Sequence, residues 1–265
     1  MREHLDARLA SLHSAGRKIL VAYLTAGMAP NWTEMLQALA AGGADAIEIG
    51  LPFSDPMIDG PVIQRACVRA IAAGTTPQGV LSEVARLDIE VPLAVMTYYN
   101  LVFRAGHERM AGMMADAGVT GAIVPDLSLE ESGPWCESAD RHGIATVMLV
   151  APSTPEERAR LICDRSRAFV YAVGLMGVTG ERAALAPSAT AIGERLGPLT
   201  ELPVCVGIGV SSPSQASQVS AHADGVIVGS AIVGRILDGA EPDEVAAFTA
   251  SLRRGLDANA RSAGA

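Results

Sequence analysis

The stretch "AIEIGLPFSDPMIDGP" (46–61) begins as an apolar strand and ends in a Gly-Pro step, with Glu48 inside the strand and Asp55 and Asp59 beyond it. A short β-branched run, a loop rich in turn formers and a proline suited to a first helical position read together as one strand–loop–helix unit. Side chains alternate along a strand, so Glu48 points away from the face shared by Ile47 and Ile49.

The same unit recurs on both sides of this stretch. Apolar runs bounded by Gly, Pro, Asn or Asp predict buried parallel strands at 18–27, 44–50, 93–100, 121–126, 144–152, 168–174, 203–210 and 225–233. Between them lie helical patterns such as "NWTEMLQALAAGG", "HERMAGMMADAG", "TPEERARLICDRS" and "SPSQASQVSAHA", several opening on an Asn, Thr or Ser able to cap a first turn. Eight such units in 265 residues predict an α/β fold of the (β/α)8 TIM-barrel type with an extra N-terminal helix, rather than an open doubly wound sheet. No linker or low-complexity boundary interrupts the chain, so one domain spanning 1–265 is expected.

Composition narrows the function. Hydrophobic residues make up 49% and aromatics only 4%, which predicts a core of Val, Ile, Leu and Ala. A formal charge of −9 without any Lys or Arg run argues against a nucleic-acid surface. The start "MREHLDARLASLHSAGRK" is charged and amphipathic, and no window reaches the roughly 18 apolar residues of a membrane span, so a cytoplasmic protein with no membrane contact is expected. Cys67, Cys136, Cys163 and Cys205 are widely spaced with no CxxC pair, which predicts reduced buried thiols and no metal site. His4, His13, His107, His142 and His222 fall in predicted helices or at their edges, as surface or capping residues.

In a barrel the chemistry sits where strands end and βα loops begin. Glu48 at such an end has two readings: a partly desolvated carboxylate suited to general acid–base work, or a core carboxylate tied to an Arg or a backbone amide. Asp59 and Asp55 are likewise either chemical groups or supports of a turn, Asp59 as a cap for the helix opening at Pro61. Asp126 either positions a rim loop or caps a turn. The Gly-rich exits "GVTG" (177–180), "GIGVSS" (207–212) and "GSA" (229–231) offer unobstructed amides, and the last two lie where barrels often hold phosphate. Tight turns alone are the other reading, and no GxGxxG follows the first strand to suggest a dinucleotide.

"IEIGLPFSDPMIDGPVIQ", followed in order by "YYNLVF", "VPDLSLEES", "GVTG", "GIGVSSPSQ" and "GSAIV", resembles the signature of the tryptophan synthase alpha subunit family, and the likeness covers nearly the whole chain. That resemblance implies a barrel that cleaves indole-3-glycerol phosphate to indole and glyceraldehyde 3-phosphate without a cofactor. It implies Glu48 as acid–base, Asp59 as the catalytic aspartate and Tyr171 as an active-site tyrosine. It also implies Gly180, Gly209, Gly229 and Ser230 as phosphate ligands, and Tyr23, Met96, Tyr98, Asn100, Ile123, Leu149 and Ile208 at or beside the indole pocket. Pro52 and Asp55 would face a beta subunit in an alpha2beta2 complex.

Two loops depart from the family pattern. Gly174, Leu175 and Met176 stand where members commonly carry Ser followed by polar residues, and Met57, Ile58 and Val62 stand where smaller or more polar residues are frequent. The first departure bears on loop closure, the second on partner docking. Two other functions therefore stand beside the alpha-subunit reading. One is a stand-alone lyase or paralogue acting on a related phosphorylated substrate without a beta subunit. The other is a non-catalytic allosteric partner barrel, against which the retention of both carboxylates counts.

Overall fold

The computed structural model describes residues 3–174 and 185–260, and its strands close into one parallel barrel in chain order. The strands are β1 (Ile19–Thr25), β2 (Ala46–Gly50), β3 (Leu93–Met96), β4 (Gly121–Ile123), β5 (Ala145–Val150), β6 (Val170–Val173), β7 (Val204–Gly207) and β8 (Gly225–Val228). Helices α1 (Leu5–Ser14), α2 (Trp32–Ala41), α3 (Pro61–Ala72), α4 (Pro77–Val84), α5 (Tyr99–Ala105) and α6 (His107–Asp116) accompany the first half. The second half adds α7 (Gly133–Arg141), α8 (Glu156–Arg165), α9 (Leu185–Leu196), α10 (Pro213–Ser220), α11 (Ser230–Leu237) and α12 (Pro242–Ala260).

The register fixes which side chains share the inside of the barrel. Tyr23 pairs with Glu48, Glu48 with Ala94, Ala94 with Gly121 and Gly121 with Ala145. Leu149 pairs with Tyr171, Tyr171 with Cys205, Cys205 with Gly225 and Gly225 with Ile19. Paired residues of parallel strands point to the same face, and the ring closes on the parity of Tyr23 without contradiction. Glu48 therefore faces the interior, with Met96, Ile123, Leu149 and Tyr171.

Two strands end earlier than their apolar runs suggest. The run 93–100 leaves the sheet after Met96, because the carboxylate of Asp126, from the loop after β4, accepts the Tyr99 N–H at 2.8 Å and starts α5 there. Asp126 is thus a helix cap. The run 225–233 stops at Val228, because Gly229 turns the chain and its carbonyl accepts the N–H groups of Ile232 and Val233. Of the expected caps, Ser212 accepts the Gln215 N–H. Asn31 makes no side-chain cap bond, and Pro155 rather than Thr154 precedes α8.

The bottom of the barrel is closed by α1. The Leu5 N–H donates to Thr120 Oγ1 at 3.1 Å, and a Cβ added to inward-facing Gly121 would lie 2.4 Å from Leu5 Cδ2. The missing side chain of Gly121 is the space that the Leu5 side chain occupies. Asp45, 1% exposed just before β2, accepts the Leu20 N–H at 2.9 Å and pairs with Arg253 of α12 at 2.8 Å, with Arg17 and Arg8 beyond. Burial pushes its carboxyl up, and the amide and the three guanidinium groups pull it back. Cys67, Cys136, Cys163 and Cys205 are all free and buried. His4 precedes α1 and His13 lies on it, His142 and His222 follow α7 and α10, and His107 opens α6 with its Nε2 3.0 Å from the Tyr99 hydroxyl, close to the exit of β3.

Candidate active site

Glu48 lies two residues before Gly50, the last paired position of β2, is 3% exposed, and its Oε2 is buried without a hydrogen-bond partner. No Arg or backbone amide among the described residues donates to it, so the tied core carboxylate expected from one reading of the sequence does not match. A buried carboxyl without donors is costly to ionise. Burial, and secondly the charge of Asp59, push the Glu48 pKa to about 8. At neutral pH it therefore holds its proton.

Asp59 does not cap α3; Gly60 precedes that helix and makes no side-chain cap bond. The Asp59 carboxylate instead accepts a hydrogen bond from the Tyr98 hydroxyl at 3.0 Å. Burial raises its pKa to about 6, against the opposing pull of the Tyr98 donor. The loop around it is held by the Ile58 N–H donating to Tyr98 Oη at 3.1 Å and by Gln64 Nε2 donating to the Asp59 carbonyl at 2.8 Å. The charge of Asp59 acts on Glu48, and their environments hold the two pKa values apart, which lets one act as an acid while the other is an anion.

Two tyrosines wall the mouth, each over an inward-facing glycine. A Cβ on Gly50 would meet Tyr23 Oη at 2.1 Å, and one on Gly207 would meet Tyr171 Oη at 2.7 Å. Tyr23 Oη is 3.1 Å from Thr25 Oγ1, and its ring also lies against Gly229. Burial, followed by nearby carboxylate charge, pushes both phenols well above their ordinary pKa, so neither acts as an anion.

Met96 and Ile123 are buried below this rim, and Leu149 is half-buried beside Tyr171. Ile208 packs into the place that a side chain at Gly174 would fill, with its Cγ2 only 1.2 Å from an added Cβ. A side chain at Gly174 would require Ile208 to move. Asn100 is exposed on the first turn of α5.

At the opposite side of the mouth, exposed Gly209 has a φ of +79°, half-buried Gly229 precedes α11, and exposed Ser230 is its first residue. Converging first-turn amides and the helix dipole suit a dianion there. Gly180, Leu175 and Met176 lie outside the described residues. Pro52 is buried and Asp55 exposed, with Ser54 Oγ donating to the Asp55 carboxylate at 2.5 Å. Among the described residues, no group of three His, Cys, Asp or Glu could hold a metal ion, and no helix is long and apolar enough to cross a membrane.

Residue types alone did not single out Thr25, Phe53 or Gly50, and Gly207 was read only as part of a Gly-rich exit, not as the seat of Tyr171. The two glycines were detectable as inward-parity positions at strand ends, beside a strand carrying an inward tyrosine. Phe53, whose ring stacks on Tyr98 at 5.0 Å, left no such signal.

A family model described as "Tryptophan synthase alpha chain" matches residues 9–260. The chain belongs to the tryptophan synthase alpha chain family. It is 45% identical to the tryptophan synthase alpha chain of Thermobifida fusca, over 97% of this chain and 99% of that one. Identity to the alpha chain of Streptomyces coelicolor is 46%, over 95% and 96%. Among solved structures, a chain of Mycobacterium tuberculosis tryptophan synthase superposes with a TM-score of 0.88 at 37% identity, covering 97% of this chain and 99% of that one. The tryptophan synthase alpha subunit of Legionella pneumophila gives 0.87 at 32%, covering 96% and 98%. Family membership and barrel thus agree with the resemblance carried by the 46–61 stretch.

Proposed function

We infer that this chain is a carbon–carbon lyase of tryptophan biosynthesis that cleaves indole-3-glycerol phosphate to indole and glyceraldehyde 3-phosphate. The observation that carries the reading is a pair of carboxyls with separated pKa values, Glu48 inside the barrel at about 8 and Asp59 on the loop after β2 at about 6, beside a glycine-lined anion cradle.

The reaction requires a proton on indole C3, loss of the proton from the adjacent side-chain hydroxyl, and stabilisation of the positive charge that grows on the ring nitrogen. Protonated Glu48 delivers its proton to C3, and the ring becomes an indolenine cation. The Glu48 carboxylate then takes the hydroxyl proton. The carbon–carbon bond breaks, its electron pair returns to the ring as indole, and the carbinol carbon becomes the aldehyde. Glu48 ends as it began. Asp59, ionised above about pH 6, accepts the ring N–H and stabilises the cation. Tyr171 and Tyr23 confine the substrate, Met96, Ile123, Leu149 and Ile208 supply the apolar lining, and Gly209, Gly229 and Ser230 hold the phosphate.

The test is indole release from indole-3-glycerol phosphate by Glu48→Gln and Asp59→Asn. Each is expected to lower kcat by a hundredfold to ten-thousandfold, the usual range for a lost proton-transfer group. Near-normal turnover in either variant removes that residue from the scheme.

The partner belongs to the same proposal. Met57 is 87% and Ile58 55% exposed on the loop before α3, a costly display of apolar surface for an uncovered rim. This supports a beta subunit covering the loop with Pro52 and Asp55, and the cytoplasm is the compartment that belongs to this reading. Equal indole formation with and without added beta subunit would favour the stand-alone lyase instead.

A further inference from the structure

Tyr98 occupies an unusual place for a pocket-lining residue. It lies two residues beyond β3, as the residue before α5, is 4% exposed, and its ring is stacked on Phe53 at an interplanar angle of 24°. Its single hydroxyl is used twice, accepting from the Ile58 N–H at 3.1 Å and donating to Asp59 Oδ2 at 3.0 Å. One atom therefore fixes both the backbone just before Asp59 and the carboxylate itself, across 39 residues of sequence. Phe53 belongs to the same loop, so ring stacking and both hydrogen bonds tie Tyr98 to that one segment.

We propose that Tyr98 is a positioning residue that acts through Asp59, holding Oδ2 so that Oδ1 is presented to the substrate's ring N–H. The assignment rests on the lyase reading above, and it gives Tyr98 a different duty from contact with the indole. A donor to a carboxylate favours the anion, so Tyr98 also keeps Asp59 in the charged form that the reaction uses. Two consequences follow from loss of the hydroxyl with the ring retained. The carboxylate loses its orientation, which lowers kcat more than it raises KM, because the contact with the ring nitrogen strengthens as charge develops. The Asp59 pKa rises, because the opposing pull on its burial is gone.

The experiment is Tyr98→Phe, with thermal unfolding recorded to establish that the variant folds. Carboxyl carbon NMR follows the titration of Asp59 in the free protein and needs no substrate, so it reads the proposal even if the chain proves inactive on indole-3-glycerol phosphate. The expected result is an upward shift of the Asp59 midpoint by about one pH unit, the usual worth of a hydrogen bond to a charged group. Steady-state kinetics should show kcat reduced about tenfold to a hundredfold at pH 7 with KM changed much less. In the Asp59→Asn background the same change should cost little more, because its route of action is already gone. An unmoved Asp59 midpoint, or full additivity of the two substitutions, overturns the proposal and returns Tyr98 to a simple wall of the pocket.

Discussion

Glu48 is a carboxyl that the fold protonates, and the energetic consequence is measurable apart from catalysis. Its folded pKa of about 8 lies well above the ordinary value of 4.5, so the folded state binds the proton more tightly than the unfolded chain. Stability therefore falls as pH rises from the unfolded value toward 8, and levels off above it. Glu48→Gln is neutral at every pH and lacks this loss. Thermal unfolding should show the variant close to the native protein at pH 5 and more stable by roughly 5 °C at pH 8.5. An equal midpoint at both pH values would mean that Glu48 is ionised and solvated in the folded state. The face on which Glu48 sits was legible at this scale, because strand alternation is local. Its lack of a partner was not, since that depends on which donors the other seven strands fail to bring.

The elements show the same division between local and distant causes. The eight strands were legible because apolar runs and Gly or Pro punctuation are properties of neighbouring residues. The early end of β3 was not, because the acceptor that starts α5 is Asp126, from the loop after the next strand. The N-terminal helix could be expected from its amphipathic pattern, but not its duty beneath the barrel, which rests on Gly121 yielding space to Leu5. Leu5→Ala should cost about 2–4 kcal/mol, the range for a large-to-small change at a fully buried position. Urea unfolding is the measurement. KM for indole-3-glycerol phosphate should stay near its native value, since Leu5 enters from the end opposite the carboxyls. A large KM change would show that the floor and the mouth are coupled.

At the scale of the whole molecule, the roles proposed for the two carboxyls set a working window. Asp59 must be ionised, so kcat/KM should rise as pH increases through about 6. Glu48 must start protonated, so kcat/KM should fall as pH passes about 8. A profile flat from pH 5 to 9 would exclude this assignment of acid and anion. Closure of the sheet makes such a window possible, because eight strands surround Glu48 and withhold solvent from it. The sealed base has a consequence for traffic. With Leu5, Leu9 and Leu12 packed beneath the barrel, it is a cul-de-sac, and whatever enters must leave by the same door. Both fragments of a cleaved molecule then queue at one exit, so any protein that sits on that rim decides where the first to depart can go.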